Sequence, residues 1–292
     1  MKERTKTSSF GVSQRTNHDS EQFYKSAMYS TIKLTEVANQ DENIVDESIQ
    51  NKIYSHSSEN MIELPDNSVH LMITSPPYNV TKEYDQNLTL TSYLNLLRNV
   101  FTETYRVLVN GGRACVNIAN VGRKPYIPLS DYVSKMMREI GFNQRGEIIW
   151  NKSASAGGSC AWGSWKSASN PTLRDVHEYI LIFSKGDFKR KKKEDTISKE
   201  EFLEWTKSIW TMNTESAKRV KHPAPFPLEL PNRLIKLYSF ADDIILDPFM
   251  GSGTTAVAAL KNKRNFIGYE IDAQYTKIAK ARIEECTNLL FF

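Results

Sequence analysis

The chain has 292 residues, 40% hydrophobic and 25% charged, with a formal net charge of +4. That is enough to bury a sizeable core as one large α/β domain with an insert, or as two modest domains. No apolar run approaches the ~20 residues of a membrane span, the polar amino terminus lacks a signal-peptide core, so a cytoplasmic protein is expected, and the mild charge alone calls for no polyanionic partner.

Residues 1–45 are rich in Ser, Thr, Asn and charge, and read as a partly disordered polar segment that packs onto the domain surface near 23–29. A short strand at 53–55, a helical turn at 59–64 and a turn at 65–67 lead to an apolar strand at 69–74. That strand stops at Ser75-Pro76-Pro77-Tyr78-Asn79, where two prolines remove two amide donors and fix φ. A stiff loop at a strand's carboxyl end follows. Residues 91–108 carry Tyr93, Leu97, Val100, Phe101 and Leu108 at helical spacing, with Gly111-Gly112 as the stop. A buried strand at 114–118, a helix at 128–140 stopped by Gly141, and a strand at 146–150 continue the alternation. Such alternation predicts a mostly parallel sheet covered on both faces.

Residues 151–176 break this rhythm with glycines, serines, Trp162 and Trp165 but no apolar period, and a loop of that length is usually functional. The run at 178–184 returns as a strand, close enough in sequence to pair antiparallel with 146–150. Lys189-Arg190-Lys191-Lys192-Lys193 is a dense basic cluster, with Lys218, Arg219 and Lys221 beyond it. Charge runs are usually solvated loops until another feature gives them a partner. An amphipathic helix is expected at 198–210 on Phe202, Leu203, Trp205 and Ile209, then a proline-dense connector at 222–227 and a helix at 228–238.

The stretch 244–272 reads strand, glycine turn, helix, strand, acidic residue. Gly251 and Gly253 let the backbone turn tightly and approach a ligand, and Glu270 at the next strand's end is placed to accept hydrogen bonds from ribose hydroxyls. Gly251-x-Gly253-x-x-Ala256 also satisfies the dinucleotide fingerprint, which brings an NAD-linked oxidoreductase into view. Chain order argues against it, because residues 254–292 suffice for one strand and two helices only, so the other strands come from upstream. Cys115, Cys160 and Cys286 have no metal-ligand spacing; reduced thiols and no metal site are expected.

The two strand ends suggest a chemistry. The Ser75–Tyr78 loop supplies a hydroxyl, an aromatic face and carbonyls of fixed direction, but no histidine or nucleophile-base pair. It suits a planar amine, whose delocalised lone pair must be localised by acceptors before it can attack an electrophile. An adenosyl group carrying a sulfonium methyl at the second strand end would complete the transfer.

With Thr74-Ser-Pro-Pro-Tyr-Asn79, the connector and helix from His222 to Tyr238, and Asp247-Pro-Phe-Met-Gly-Ser-Gly-Thr-Thr255 ending at Glu270, residues 50–285 resemble the DNA amino-methyltransferases, in the circularly permuted order where the catalytic loop precedes the cofactor loop. The resemblance implies a doubly wound, mostly parallel seven-stranded sheet with one antiparallel strand. It divides the chain into catalytic half 46–150, target-recognition region 151–221 and cofactor half 222–292. It implies that Asp247, Phe249, Gly251, Gly253 and Thr254 hold the methionine part of S-adenosylmethionine and Glu270 its ribose, with Phe226 and Pro227 close by. An adenine-side contact is implied near Ser57, where relatives often carry an aspartate. Ser75, Pro76, Pro77 and Tyr78 are implied as the catalytic set, and serine at the first position is similar to the subgroup that methylates cytosine N4 rather than adenine N6.

Ring-carbon methylation needs a nucleophilic cysteine, which in its family follows a proline; none of the three cysteines does. A base inside a duplex must be flipped out to reach the loop, so Trp162, Trp165 and both basic clusters become candidates for a double-stranded DNA face, with burial of the tryptophans the competing reading. A cognate restriction endonuclease is an implied partner. Methylation of RNA or a protein amide, and a nucleic-acid-binding protein that keeps the pocket without turnover, are the other readings.

Overall fold

The computed structural model describes residues 6–9, 12–16, 24–38, 41–78, 87–152, 163–191, 193–215 and 226–290. The chain forms two compact units, Met1–Thr35 and Glu36–Phe292. In the first, strands β1 (Lys6–Ser9) and β2 (Val12–Thr16) pair as an antiparallel hairpin, followed by the short helix α1 (Ala27–Ser30).

The second unit is built on an eight-stranded sheet. Its strands are β3 (Lys52–Tyr54), β4 (Val69–Thr74), β5 (Leu108–Ile118), β8 (Asn143–Asn151), β9 (His177–Ser184), β10 (Ile209–Thr211), β11 (Ile244–Asp247) and β12 (Asn265–Tyr269). Across the sheet they run β10-β8-β9-β5-β4-β11-β12-β3, and β9 alone runs against the others. The strand expected at 178–184 is thus antiparallel to its neighbour at 146–150, as its spacing required. A two-stranded ribbon, β6 (Val121–Gly122) with β7 (Tyr126–Ile127), completes the strands.

Period-2 alternation along each strand sorts the core into two layers. Met72, Ala114, Val116, Leu181, Phe183, Leu246 and Ile267 face helices α2 (Leu90–Val107) and α3 (Leu129–Ile140). Leu71, Ile73, Cys115, Ile180, Ile182, Ile245 and Phe266 face α5 (Glu229–Tyr238), α6 (Thr254–Lys261) and α7 (Ala273–Leu290). Burial pushes the Cys115 thiol up, as expected of an inert core cysteine.

Three expectations change. The sheet has eight strands, not seven, because the helix expected over 198–210 ends early. Ser198 and Glu201 form a capping box that starts α4 (Lys199–Trp205), a turn follows, and β10 then pairs parallel with β8. Trp210 is buried while Phe202, Leu203 and Ile209 are exposed. Gly111-Gly112 does not close a helix: α2 ends at Val107 and the glycines lie inside β5, where a Cβ on Gly111 would sit 2.6 Å from the Lys189 carbonyl oxygen. Residues 59–64 form turns rather than a helix. Among the described residues, no helix is long and apolar enough to cross a membrane.

Candidate active site

β4 and β11 are parallel neighbours, so their carboxyl ends emerge side by side. Thr74, the last residue of β4, donates from Oγ1 to Asp247 Oδ1 at 2.7 Å. Asp247, the last residue of β11, also accepts from the Thr255 hydroxyl at 2.6 Å and the Phe249 amide at 3.1 Å. The strand ends picked out from sequence therefore meet through one buried carboxylate. Burial raises Asp247 to about 6, against the pull of these hydrogen bonds.

Beyond Asp247 the turn uses left-handed backbone at Gly251 (φ 51°) and Gly253 (φ 81°). A Cβ on Gly253 would lie 3.0 Å from Ala279 of α7, so glycine serves both the conformation and the packing. Glu270 follows β12; one oxygen accepts the Gly251 amide and the other the Asp272 amide, each at 2.8 Å. Each oxygen keeps a further lone pair, and burial raises the carboxyl's pKa. Phe249 packs half-buried against the α2/α3 layer.

The Thr254 hydroxyl meets Arg282 Nη1 of α7 at 3.2 Å, as does Ser252 Oγ at 3.0 Å. Ser57 donates to Glu59 at 3.1 Å, and its neighbour Ser58 donates to the Pro248 carbonyl at 2.8 Å, which ties the end of β3 to the same turn. Phe226 packs against the layer that contains Met250, and Pro227 is buried at the start of α5.

On the β4 side, Ser75 Oγ and Tyr78 Oη are 3.1 Å apart, with Pro76 buried and Pro77 half-buried between them. Tyr78 donates to Glu178 Oε2 at 3.0 Å. Asn117 Nδ2 donates to the same oxygen at 2.6 Å and lies 3.4 Å from both hydroxyls, while Lys152 Nζ pairs with Glu178 Oε1 at 2.5 Å. Burial, reinforced by the charge of Glu178, holds the Tyr78 phenol well above its ordinary pKa, so it stays a donor.

Asn117, Lys152 and Glu178 escaped the sequence reading. Their signal was present: a buried polar residue in each of two strands that are otherwise largely apolar, Asn117 in β5 and Glu178 in β9. Among the described residues, no group of three or more His, Cys, Asp or Glu is arranged to hold a metal.

Trp165 is 64% exposed, with Lys166 Nζ 5.6 Å from its ring centre, in the segment joining the end of β8 to the start of β9. That junction shares the sheet edge with Ser75. Trp162, Lys192, Lys218, Arg219 and Lys221 lie outside the described residues.

The remaining basic cluster lies elsewhere. Because β9 runs backward, Ser184 pairs with Arg113 and Asn143 at the sheet's opposite edge, and Lys189, Arg190, Lys191 and Lys193 continue from there. Arg190 is buried, donating to Asp243 at 2.6 and 3.1 Å just before β11 begins, and Lys193 sits 3.3 Å from Glu42 and 3.6 Å from Asp243. The geometry rules Arg190 out of a DNA surface. Lys189 and Lys191 are exposed, but roughly 25 Å away along an eight-residue strand.

The family model described as DNA methylase matches residues 69–281. The chain is 33% identical to the Type II methyltransferase M.MjaI of Methanocaldococcus jannaschii, across 82% of this chain and 93% of that protein. Among solved structures it is similar to the DNA modification methylase TTHA0409 of Thermus thermophilus in complex with S-adenosyl-L-methionine. There the TM-score is 0.66 and the identity 29%, over 81% of this chain and 94% of that one. Similarity to the cytosine-N4-specific PvuII DNA methyltransferase, at TM-score 0.64 and 20% identity over 82% and 90% of the two chains, is one of fold.

Proposed function

The chain belongs to the DNA methylase family, and from that premise we propose that it methylates the exocyclic N4 amine of cytosine flipped out of duplex DNA, as the modification enzyme of a restriction system. The observation that carries this reading is the Thr74–Asp247 hydrogen bond, which joins the ends of β4 and β11.

S-adenosylmethionine supplies an electrophilic methyl group on a sulfonium centre. The residues around Asp247 fit such a donor. A buried carboxylate suits an ammonium group, the second lone pairs of Glu270 suit a ribose diol, and the glycine turn keeps side chains out of the way.

On the acceptor side, Ser75 and the loop carbonyls take the amine hydrogens and draw the nitrogen toward a tetrahedral shape, while the Tyr78 ring stacks on the base. Flipping costs a few kcal/mol. Trp165 and the segment around it, on the Ser75 edge of the sheet, contact the DNA that remains. Serine rather than aspartate at position 75 supports cytosine over adenine.

The test is to incubate duplex DNA with the protein and S-adenosylmethionine, digest to nucleosides and weigh the product. N4-methylcytosine supports the reading, N6-methyladenine moves the protein to the adenine branch, and methyl transfer to RNA or protein alone overturns it. A cognate endonuclease is blocked by the same mark.

A further inference from the structure

The Ser75–Tyr78 loop ends on a buried carboxylate that no part of amine recognition requires. We propose that Glu178 is the terminal proton acceptor of methyl transfer, reached from the target amine through the hydroxyls of Ser75 and Tyr78. The proposal rests on the amino-methyltransferase reading and deepens it.

The polarity of the network argues for it. A carboxylate only accepts, so the Tyr78 hydrogen points at Glu178 Oε2, 3.0 Å away. The Tyr78 oxygen is then the acceptor for the Ser75 hydroxyl at 3.1 Å. That leaves the lone pairs of Ser75 Oγ to receive an amine hydrogen. Asn117, donating at 2.6 Å, and Lys152, at 2.5 Å, hold the carboxylate in place and favour its ionised form. Glu178 is only 8% exposed, whereas the Lys152 side chain is 20% exposed and gives the network an outlet to water.

The step balances. As the amine nitrogen forms its bond to the methyl carbon, the carbon–sulfur bond breaks and its electron pair stays on sulfur, so the positive charge passes to nitrogen. The nitrogen releases a proton to Ser75 Oγ, Ser75 passes its own to Tyr78, and Tyr78 passes its own to Glu178, which ends neutral beside Lys152. The proton leaves toward solvent before the next turnover. Glu178 touches neither substrate nor donor. It is a positioning residue that sets the direction of the hydroxyl chain and accepts what the chain delivers.

The test is a double-mutant cycle on single-turnover methylation of duplex DNA, with S-adenosylmethionine and DNA affinities measured separately by calorimetry. Glu178→Gln keeps the shape of the side chain but cannot take the proton, and Tyr78→Phe removes the middle carrier. Each is expected to slow transfer about 100-fold with both affinities within about twofold of wild type, and the pair together no more than either alone, as for residues that act as a unit. Should Glu178→Gln fail to fold with Lys152 left unpaired, Lys152→Met combined with Glu178→Gln restores charge balance and carries the same arm. Transfer within about threefold of wild type in the folded Glu178 variant, multiplying losses in the double variant, or affinities that fall as far as the rate overturn the relay. A wild-type protein that labels no DNA overturns the underlying reading as well, so the two failures are distinct.

Discussion

Asp243 and Asp247 flank a single short strand, roughly 13 Å apart, and both are about 1% exposed, yet their surroundings differ. Burial works against ionising either. At Asp243 the hydrogen bonds from Arg190 and the charges of His70 and Arg190 win, holding the carboxyl below its ordinary value. At Asp247 the direct partners are two threonine hydroxyls and an amide, burial wins, and the pKa rises to about 6. A buried acid with a cation beside it is a structural fastener. One with only neutral donors is a group held ready for a cation from outside.

The strongest way to break this contrast is to remove the fastener. Asp243→Ala leaves Arg190 buried and unpaired and is expected to cost about 3–5 kcal/mol in denaturant unfolding, with the folded fraction still methylating DNA. At the other edge Ser75→Ala should lower the single-turnover rate by about 10²–10³-fold while leaving unfolding and S-adenosylmethionine affinity almost unchanged. Loss of affinity in step with rate would merge the two ends again.

The acids should also answer pH in opposite directions. Asp243, with its lowered pKa, contributes stability above the unfolded value near 3.8 that is lost as pH falls through the folded one. Asp247, with its raised pKa, costs nothing below about 4 and its full penalty above about 6. Its Asn variant is therefore expected to unfold later than wild type at pH 8 but not at pH 4. If ionised Asp247 holds the ammonium of the donor, wild-type affinity for S-adenosylmethionine drops by about tenfold per pH unit below 6, and Asp247→Asn binds weakly at every pH. An unchanged calorimetric affinity between pH 7 and 5 contradicts this. The smallest effect belongs to the displaced lysines: Lys189→Ala with Lys191→Ala should change DNA affinity less than about twofold, against about fivefold for Trp165→Ala.

Much of this arrangement was legible in the residues. The strand at 69–74 was delimited by two prolines, and its partner at 244–247 by Asp247-Pro248. Short strands and small side-chain networks were not. β10 is three residues long behind a well-capped helix, and its period is too brief to register. The position of the basic cluster was readable but unread, since a strand set antiparallel at 178–184 must deliver its end to the edge away from Ser75. Glu178 is harder: a single charged residue near the start of an apolar strand does not reveal which loop, a hundred residues earlier, its side chain will meet.

The bridge from Thr74 through Asp247 to Thr255 makes the two loops one inheritable part. Transplanting the Ser-Pro-Pro-Tyr segment from a relative without a hydroxyl at position 74 would take a hydrogen bond from Asp247 and push its acidity further up. A graft meant to alter the target base would thereby weaken the grip on the methyl donor. Any redesign of base preference must carry its threonine along.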